Sequence, residues 1–253
     1  MRRGPVSTAA AAFVLSLSLA ACGAEESASE AGTSAGDVAG NAEALADTYP
    51  DAVTADPDHY SVAYENDALR IVRVAYGPGE SSTMHYHPAS CAITLGEPSW
   101  SMTEADGTVA TNTGVHGEVG CEEEYAHMPE NTSDDAAEVY LVEFKDGAAP
   151  GTDDMPGEDA VEVDPAHYSV EFENEAARIV RIRYDVGDEG IEHGHPANCV
   201  VWLESPAPEG EESSVGSMQC SDAQVHTPAG GDESALELIA VEFKGRASQD
   251  GER

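Results

Sequence analysis

The chain has 253 residues, of which 49 are acidic and 11 are lysine or arginine, giving a formal net charge of −38 at pH 7. Hydrophobic residues make up 41% of it, which is enough for one large domain or two small ones. A surface this negative repels nucleic acid and anionic lipid headgroups, so we exclude polynucleotide partners. Because the acids are spread along the chain, they favour a role in solubility over a dedicated polyanionic binding face.

The first 22 residues have the features of an export signal. Arg2 and Arg3 precede an apolar run from about Ala9 to Ala21, which is too short to span a bilayer as a helix of about 20 residues. The run ends in Leu-Ala-Ala-Cys and resembles the lipobox of bacterial lipoproteins, whose cysteine is acylated. The resemblance implies a lipid anchor at Cys22 and a place in the bacterial cell envelope, on the periplasmic or extracellular face. Ordinary secretion is the alternative.

After the signal, the sequence repeats itself. Residues 56–80 and 164–188 agree at 15 of 25 positions without a gap, and a repeat of this length predicts two copies of one domain. The segment before the first copy is rich in Ala, Gly, Ser and Glu and predicts a disordered tether. The predicted units are a signal peptide at 1–22, the tether at 23–50, domains at 51–148 and 160–246, and a linker at 149–159.

Each copy is predicted to be all-β. Short strand-like segments are separated by Gly, Pro, Asn and Asp, and Met84–Leu95 reads as one such strand. Asp106-Gly107 between two of these segments is typical of a β-hairpin. Several short strands at this spacing, with no long helical period, predict a small sandwich or barrel in each copy.

Both copies contain two histidines separated by one residue. Because side chains alternate between the faces of a strand, His85 and His87 point the same way, and so do His193 and His195. On the inward face of a barrel, such a pair can reach one ion together with a third histidine from another strand. Three neutral imidazoles suit Zn, Cu, Fe or Ni and leave positions open for water or substrate. The matched candidates for the third position are His127 and His226.

The spacing of Gly79, five residues and His85-x-His87 resembles the first motif of the cupin superfamily, and His127 with Asn131 resembles the end of its second motif. The resemblance covers both predicted domains and implies a bicupin, with two tandem double-stranded β-helix or jelly-roll barrels. In that family the HxH pair, a nearby Glu and the later His commonly bind one divalent metal. The resemblance therefore implies that the six histidines hold a divalent transition metal (Zn, Fe, Mn, Cu or Ni).

Four cysteines also match between the copies. Cys91 and Cys199 stand where the family has its Glu, and Cys121 and Cys220 each lie six residues before the third histidine. Export favours disulfides. Because each copy should carry its own bond, the duplication predicts Cys91–Cys121 and Cys199–Cys220.

Two other roles for the cysteines remain open at this point. As thiolates they could join the histidines as metal ligands, or the site could resemble that of thiol dioxygenases, which hold iron with three histidines. Cys91 lies an even number of residues after His87, so it should also face inward unless Pro88 breaks the alternation.

The sequence leaves three functions to weigh. The first is an envelope-anchored module that binds a metal, a small ligand or both. The second is a metal-dependent enzyme, with dioxygenase, decarboxylase or isomerase chemistry on a small molecule. The third is a metal-free structural or interaction protein. An enzyme with an anionic substrate would need an arginine in its pocket, and the matched candidates, of which only one per pair can point inward, are Arg70 with Arg73 and Arg178 with Arg181. No catalytic residue and no oligomeric state follow from the sequence.

Overall fold

The computed structural model describes residues 45–145, 155–205, 214–231 and 234–244. The predicted signal peptide with Cys22, most of the tether and the first part of the linker lie outside the described residues. The end of the tether region is structured, because residues 45–48 are helical and the carbonyl of Pro50 accepts a hydrogen bond from the backbone N–H of Tyr86 at 2.9 Å. In the described ranges, no helix is long and apolar enough to cross a membrane.

The first domain consists of one short helix and nine strands. Helix α1 covers Ala52–Ala55 and is capped by Asp51, whose side chain accepts from the N–H of Val53 at 3.1 Å. The strands are β1 (Tyr60–Glu65), β2 (Leu69–Tyr76), β3 (His85–His87), β4 (Ser90–Leu95), β5 (Ser99–Glu104), β6 (Val109–Thr113), β7 (Val119–Glu122), β8 (Tyr125–Asn131) and β9 (Ala137–Phe144).

These strands form two antiparallel sheets that enclose a core. One sheet has the order β1-β2-β9-β4-β7 and the other has the order β3-β8-β5-β6. Val72, Val74 and Tyr76 of β2 pack with Trp100 of β5 and Leu141 of β9, which fills the space between the sheets. The predicted hairpin at Asp106-Gly107 joins β5 to β6.

The second domain repeats this arrangement with fewer described strands. It consists of helix α2 (Ala160–Val163) and the strands β10 (Tyr168–Glu173), β11 (Ala177–Tyr184), β12 (His193–His195), β13 (Asn198–Glu204), β14 (Met218–Ser221), β15 (Gln224–His226) and β16 (Leu236–Phe243). The order β10-β11-β16-β13-β14 matches the five-stranded sheet of the first domain, and β12 pairs with β15. The prediction of an all-β, jelly-roll fold is therefore confirmed.

The prediction of a single strand at Met84–Leu95 is wrong. The segment is two strands in different sheets, because β3 pairs with β8 while β4 pairs with β7 and β9. Pro88 lies at the break, and proline cannot donate a hydrogen bond to a sheet ladder. The change of sheet also resets the alternation of side chains between the inner and outer faces.

The outer faces of the two five-stranded sheets share one hydrophobic cluster. Leu69, Ile71 and Ile93 of the first domain lie in the same buried cluster as Ile179 and Val241 of the second. In β2, alternate residues thus serve two cores, Leu69 and Ile71 between the domains and Val72 and Val74 inside the barrel. Strands buried on both faces need the continuous apolar runs that this sequence has at their centres.

Each domain also donates a side-chain hydrogen bond to a backbone carbonyl of the other domain. Arg181 donates from Nη2 to the carbonyl of Gly117 at 2.6 Å, and Tyr140 donates from its hydroxyl to the carbonyl of Gly216 at 3.3 Å. Gly117 and Gly216 occupy matched positions of the repeat. The two barrels therefore pack on each other through equivalent surfaces.

Candidate metal centres

The three predicted histidines of each domain come together on two adjacent strands. In the first domain, β3 and β8 place His85 directly opposite His127, with His87 two residues along. In the second, β12 and β15 place His193 opposite His226 in the same way. Within the described residues, the groups that could hold a metal ion are these two sets, His85, His87 and His127, and His193, His195 and His226.

The imidazoles of the second domain converge through the same ring nitrogen. The Nε2 atom of His193 lies 3.0 Å from Nε2 of His195 and 3.1 Å from Nε2 of His226. Two nitrogen ligands at about 2.1 Å from a metal and at right angles to each other are about 3.0 Å apart. The spacing of the three nitrogens therefore fits one face of a metal coordination sphere.

The opposite ring nitrogens already have acceptors. Nδ1 of His193 lies 2.7 Å from the carbonyl of Ile191, and Nδ1 of His195 lies 2.7 Å from a carboxylate oxygen of Glu242. Arg178 donates from Nε to the other oxygen of Glu242 at 2.7 Å, so both carboxylate oxygens accept. A neutral imidazole carries one hydrogen, which these contacts place on Nδ1. Nε2 of His193 and Nε2 of His195 thus present lone pairs to each other, and a cation between them would remove the repulsion.

The first domain shows the same arrangement. Nδ1 of His85 donates to the carbonyl of Thr83 at 2.7 Å, and Nδ1 of His87 donates to Glu143 at 2.8 Å. The Nε2 atoms of His85 and His127 are buried and have no hydrogen-bond partner in the described structure. A buried nitrogen without a partner costs about 1–3 kcal/mol, which a metal bound at Nε2 would offset. The residues present therefore fit a metal.

Burial favours the neutral form of three of these rings, those of His85, His127 and His226. Burial and then the charge of His87 lower the pKa of His85 to about 4. Burial and the charges of His87 and His85 lower the pKa of His127 to about 2. In the second domain, burial and the charges of His195 and His193 lower the pKa of His226 to about 4. Neutral imidazole is the form that binds a metal.

A chain of charged groups behind each site was not predicted from the sequence. In the second domain it runs from Asp159 to Arg178, with Nη1 to Oδ2 at 2.6 Å, then to Glu242 and to Nδ1 of His195. Asp159 also caps helix α2, since it accepts from the N–H of Val161 at 2.9 Å. A carboxylate on the outer nitrogen of a metal-ligating histidine fixes its tautomer and orientation.

The first domain has the same chain in Asp51, Arg70, Glu143 and His87. Both glutamates are 1% exposed. The sequence did carry a signal, because the Glu-Phe-Lys ends of the last strands and the arginines of the second strands match between the copies.

The arginine candidates for an anionic substrate do not line the cavities that adjoin the histidine clusters, although Arg178 lines a separate cavity of about 440 Å³. Arg70 and Arg178 point inward, as one member of each pair was expected to do, but they are held behind the histidines by carboxylates on both sides. Arg73 pairs with Glu138 at 2.5 Å near the surface. Arg181 pairs with Glu171 and Glu237. The prediction of a pocket-lining arginine is therefore not met in the cavities beside the histidines, whereas Arg178 lines a separate cavity.

Both predicted disulfides are present, Cys91–Cys121 and Cys199–Cys220. They lie on the outer face of the five-stranded sheets, where Cys91 and Cys199 belong to the cluster between the domains. The inward direction expected from the spacing after His87 is wrong, because the chain changes sheet at Pro88 and Ala92 takes the inner face instead. The cysteines are bonded to each other, which removes the thiolate-ligand alternative.

A cavity adjoins each histidine cluster. The cavity of the first domain has a volume of about 550 Å³ and reaches His87 and His127. The cavity of the second has a volume of about 420 Å³ and reaches His195 and His226. These volumes suit small organic molecules. In the first domain, β8 is followed in its sheet by β5 and β6. The corresponding strand of the second domain, β15, pairs only with β12 among the strands described.

No family model and no curated protein matches this chain. Among solved structures, it is similar to a cupin domain from Bordetella pertussis, with 18% identity over 34% of this chain and 91% of that chain and a TM-score of 0.32. It is also similar to an oxalate decarboxylase from Bacillus subtilis, with 14% identity over 74% of this chain and 72% of that chain and a TM-score of 0.44.

A third similar structure is a salicylate 1,2-dioxygenase from Pseudaminobacter salicylatoxidans, with 12% identity over 72% of each chain and a TM-score of 0.42. Because these identities and TM-scores are low, the similar structures say nothing about the chemistry of this chain. Its own residues define an all-β protein of two jelly-roll domains, each with three histidines converging in its interior.

Proposed function

We propose that each barrel binds one divalent transition metal through the Nε2 atoms of its three histidines, and that the chain is a bicupin. The observation that carries this proposal is the orientation of the rings. Four of the six Nδ1 atoms donate to carbonyls or carboxylates, while Nε2 atoms converge as lone pairs. An all-neutral cluster without a cation would leave those lone pairs opposed.

A bound metal would supply Lewis acidity at coordination positions that the histidines leave open. The protein's part is to hold the rings rigidly through Glu143 and Glu242, and to supply a cavity of small-molecule size beside the first site. We therefore propose binding of a metal together with a small ligand as the primary function.

A metal-dependent enzyme is the second candidate. What favours it is the carboxylate of Glu104, which lines the first cavity and lies opposite His127 in the sheet.

Export and a lipid anchor at Cys22 complete the proposal. Two disulfides fit an oxidising, exported environment, and the Leu-Ala-Ala-Cys segment supplies the anchoring site. A Cys22→Ser chain should leave the membrane fraction and appear in the soluble fraction of the expressing bacterium. Equal membrane retention of both chains would contradict the anchor.

The metal proposal is tested by elemental analysis of the protein exported with its disulfides intact. We expect about two equivalents of transition metal in the parent chain, about one in a His85→Ala/His87→Ala variant and about one in a His193→Ala/His195→Ala variant. His59→Ala serves as the control, because His59 stacks on Tyr76 and pairs with Asp56. Equal metal content in all four chains would contradict the proposal.

A further inference from the structure

Strand β6 forms one edge of the four-stranded sheet in the first domain. It covers Val109–Thr113, its five residues are all exposed, and its sequence Val-Ala-Thr-Asn-Thr contains no charge and no proline. Its register with β5 is regular along the whole strand, so no bulge interrupts it. An exposed and regular strand edge is a template for pairing with another chain.

The other edge strands of the described sheets are each protected. β1 and β10 contain a bulge, and β7, β14 and β15 are only three or four residues long. β3 is covered, because the N–H of Tyr86 donates to the carbonyl of Pro50 at 2.9 Å. β12 is covered in the same way, because the N–H of Gly194 donates to the carbonyl of Glu158 at 2.8 Å. Short, bulged and covered edges are the usual protection against pairing, and β6 is the one edge among the described strands that lacks it.

The backbone groups that β6 turns away from its sheet alternate along the strand. At the end of the hairpin, Gly114 donates its N–H to the carbonyl of Pro98 at 2.8 Å. Bonded and non-bonded pairs alternate in an antiparallel ladder, so the even-numbered residues of β6 bond to β5. The odd-numbered residues, Val109, Thr111 and Thr113, direct their N–H and C=O groups outward. Within the described residues, these groups have no backbone hydrogen-bond partner.

The outward groups of β6 are complementary to themselves. When two copies of the strand lie antiparallel with Thr111 opposite Thr111, Val109 of each copy lies opposite Thr113 of the other. At every such pair, two N–H groups then face two C=O groups, as in a hydrogen-bonded pair of an antiparallel sheet. The facing side chains are β-branched and uncharged, which favours pairing across strands.

Charge limits where two copies of this chain can approach each other. Each copy carries a formal charge of −38, so most of its surface repels a second copy. β6 presents no charge, and Val109, which is 60% exposed, is the most exposed large hydrophobic residue of the described chain. At physiological ionic strength, exposed charges more than about 8 Å apart are largely screened. An uncharged strand edge is therefore a place where two such chains can touch.

We propose that β6 pairs antiparallel with β6 of a second copy of this chain, about a two-fold axis at Thr111. The two four-stranded sheets then join into one continuous sheet. Because Ala110 and Asn112 of β6 line the first cavity, the strand of the second copy lies beside the wall of that cavity. Pairing of one short strand buries less surface than a permanent dimer needs, so the dimer is weak and depends on concentration. The inference does not depend on a bound metal.

Sedimentation equilibrium of the exported, disulfide-intact chain tests the pairing. The chain carries Cys22→Ser, so that no lipid can drive association. We expect a monomer–dimer equilibrium with a dissociation constant on the order of 10–100 μM. The dimer should be roughly tenfold tighter at about 0.5 M than at about 0.05 M salt, because screening weakens the repulsion between the copies. A monomer at both salt concentrations and up to about 1 mM protein would overturn the proposal.

Substitutions at the proposed axis show whether β6 is the surface that pairs. Thr111→Pro removes an N–H that points away from β5, and proline is tolerated at such positions of an edge strand. Thr111→Glu places like charges opposite each other. Each should weaken the dimer roughly tenfold or more and leave the circular dichroism spectrum unchanged. Thr111→Val, which keeps the N–H, and Ser61→Glu, which adds the same charge on the exposed part of β1, should dimerise as the parent does. A dimer that persists in a folded Thr111→Pro or Thr111→Glu chain would overturn the proposal.

Single cysteines test the register of the pairing. Residues opposite each other in a hydrogen-bonded pair have Cα atoms about 5.5 Å apart, which is within the range for a disulfide. Thr111→Cys should therefore cross-link to itself under mild oxidation. Val109→Cys should not do so alone, but it should cross-link when it is mixed with Thr113→Cys. Mass spectrometry confirms that the native disulfides are kept. Equal cross-linking of Thr111→Cys and Val109→Cys to themselves would contradict the two-fold axis at Thr111 and overturn the proposal.

Discussion

Glu143 accepts a hydrogen bond from Nδ1 of His87 at 2.8 Å, on the side of the ring opposite to the nitrogen that faces the other histidines. Glu242 does the same for His195 at 2.7 Å. The two contacts recur although neither glutamate is next to its histidine in sequence. They fix which nitrogen of His87 and of His195 carries the hydrogen, and so they leave Nε2 as the atom that is free to bind the proposed metal.

Replacing Glu143 with Gln should weaken metal binding in the first domain. The amide keeps the size of the side chain but loses the charge that orients His87, and such changes typically cost 10–100-fold in metal affinity. Competition with a chromophoric chelator measures the affinity. Glu138→Gln is the matched control on the same strand, since Glu138 faces outward and pairs with Arg73. An unchanged affinity in Glu143→Gln would show that the carboxylate has no such role.

The metal-free histidines should titrate at unusually low pH. The pKa of His85 and of His226 is lowered to about 4 by burial and by neighbouring histidines, against about 6.5 for a free side chain. A lowered pKa keeps the ring neutral, and able to bind metal, between pH 6.5 and about 4. Metal retention should therefore persist at pH 5.

The same shift makes the metal-free protein lose stability as pH falls through this window, because the unfolded chain then binds more protons. Nuclear magnetic resonance of the imidazole signals in chelator-treated protein gives the midpoints. Midpoints of 6 or above for both residues would contradict the prediction.

Removing the first disulfide should affect stability and spare the metal. The bond between Cys91 and Cys121 lies on the outer face of the sheet, so a Cys91→Ala/Cys121→Ser variant should lose about 2–4 kcal/mol in free energy of unfolding. Urea denaturation followed by circular dichroism measures that loss, and elemental analysis measures the metal. Loss of metal from a variant that remains folded would instead make the cysteines part of the site.

The two domains should unfold together. Their five-stranded sheets share one buried cluster, and each domain contains one tryptophan, Trp100 in the first and Trp202 in the second. Trp202→Phe leaves fluorescence that reports the first domain, and Trp100→Phe leaves fluorescence that reports the second. In each variant, the unfolding transition followed by tryptophan fluorescence should coincide with the one followed by circular dichroism. Separate transitions would show that the cluster does not couple the domains.

Much of this fold and site could be predicted from the sequence, because local spacing carries the information. His85-x-His87 on a strand guarantees a shared face, and the repeat identifies His127 and His226 without knowledge of the pairing. The disulfide pairing followed from the duplication alone.

What the sequence could not show depends on pairing between distant strands. Glu143 reads as a surface residue until β9 places it behind His87. Glu104 becomes relevant only through its register with His127. The direction of Cys91 depended on whether Pro88 ends one sheet and starts another, and a hydrophobic run through a proline fits both readings.

In the proposed sites, the Nε2 atoms of each histidine triad bind one metal ion. Anomalous X-ray scattering from crystals of the zinc-loaded, disulfide-intact protein tests it most directly. We predict one strong anomalous peak in each barrel, about 2.0–2.1 Å from Nε2 of all three histidines. Peaks only at surface carboxylates, or coordination through Nδ1, would contradict it.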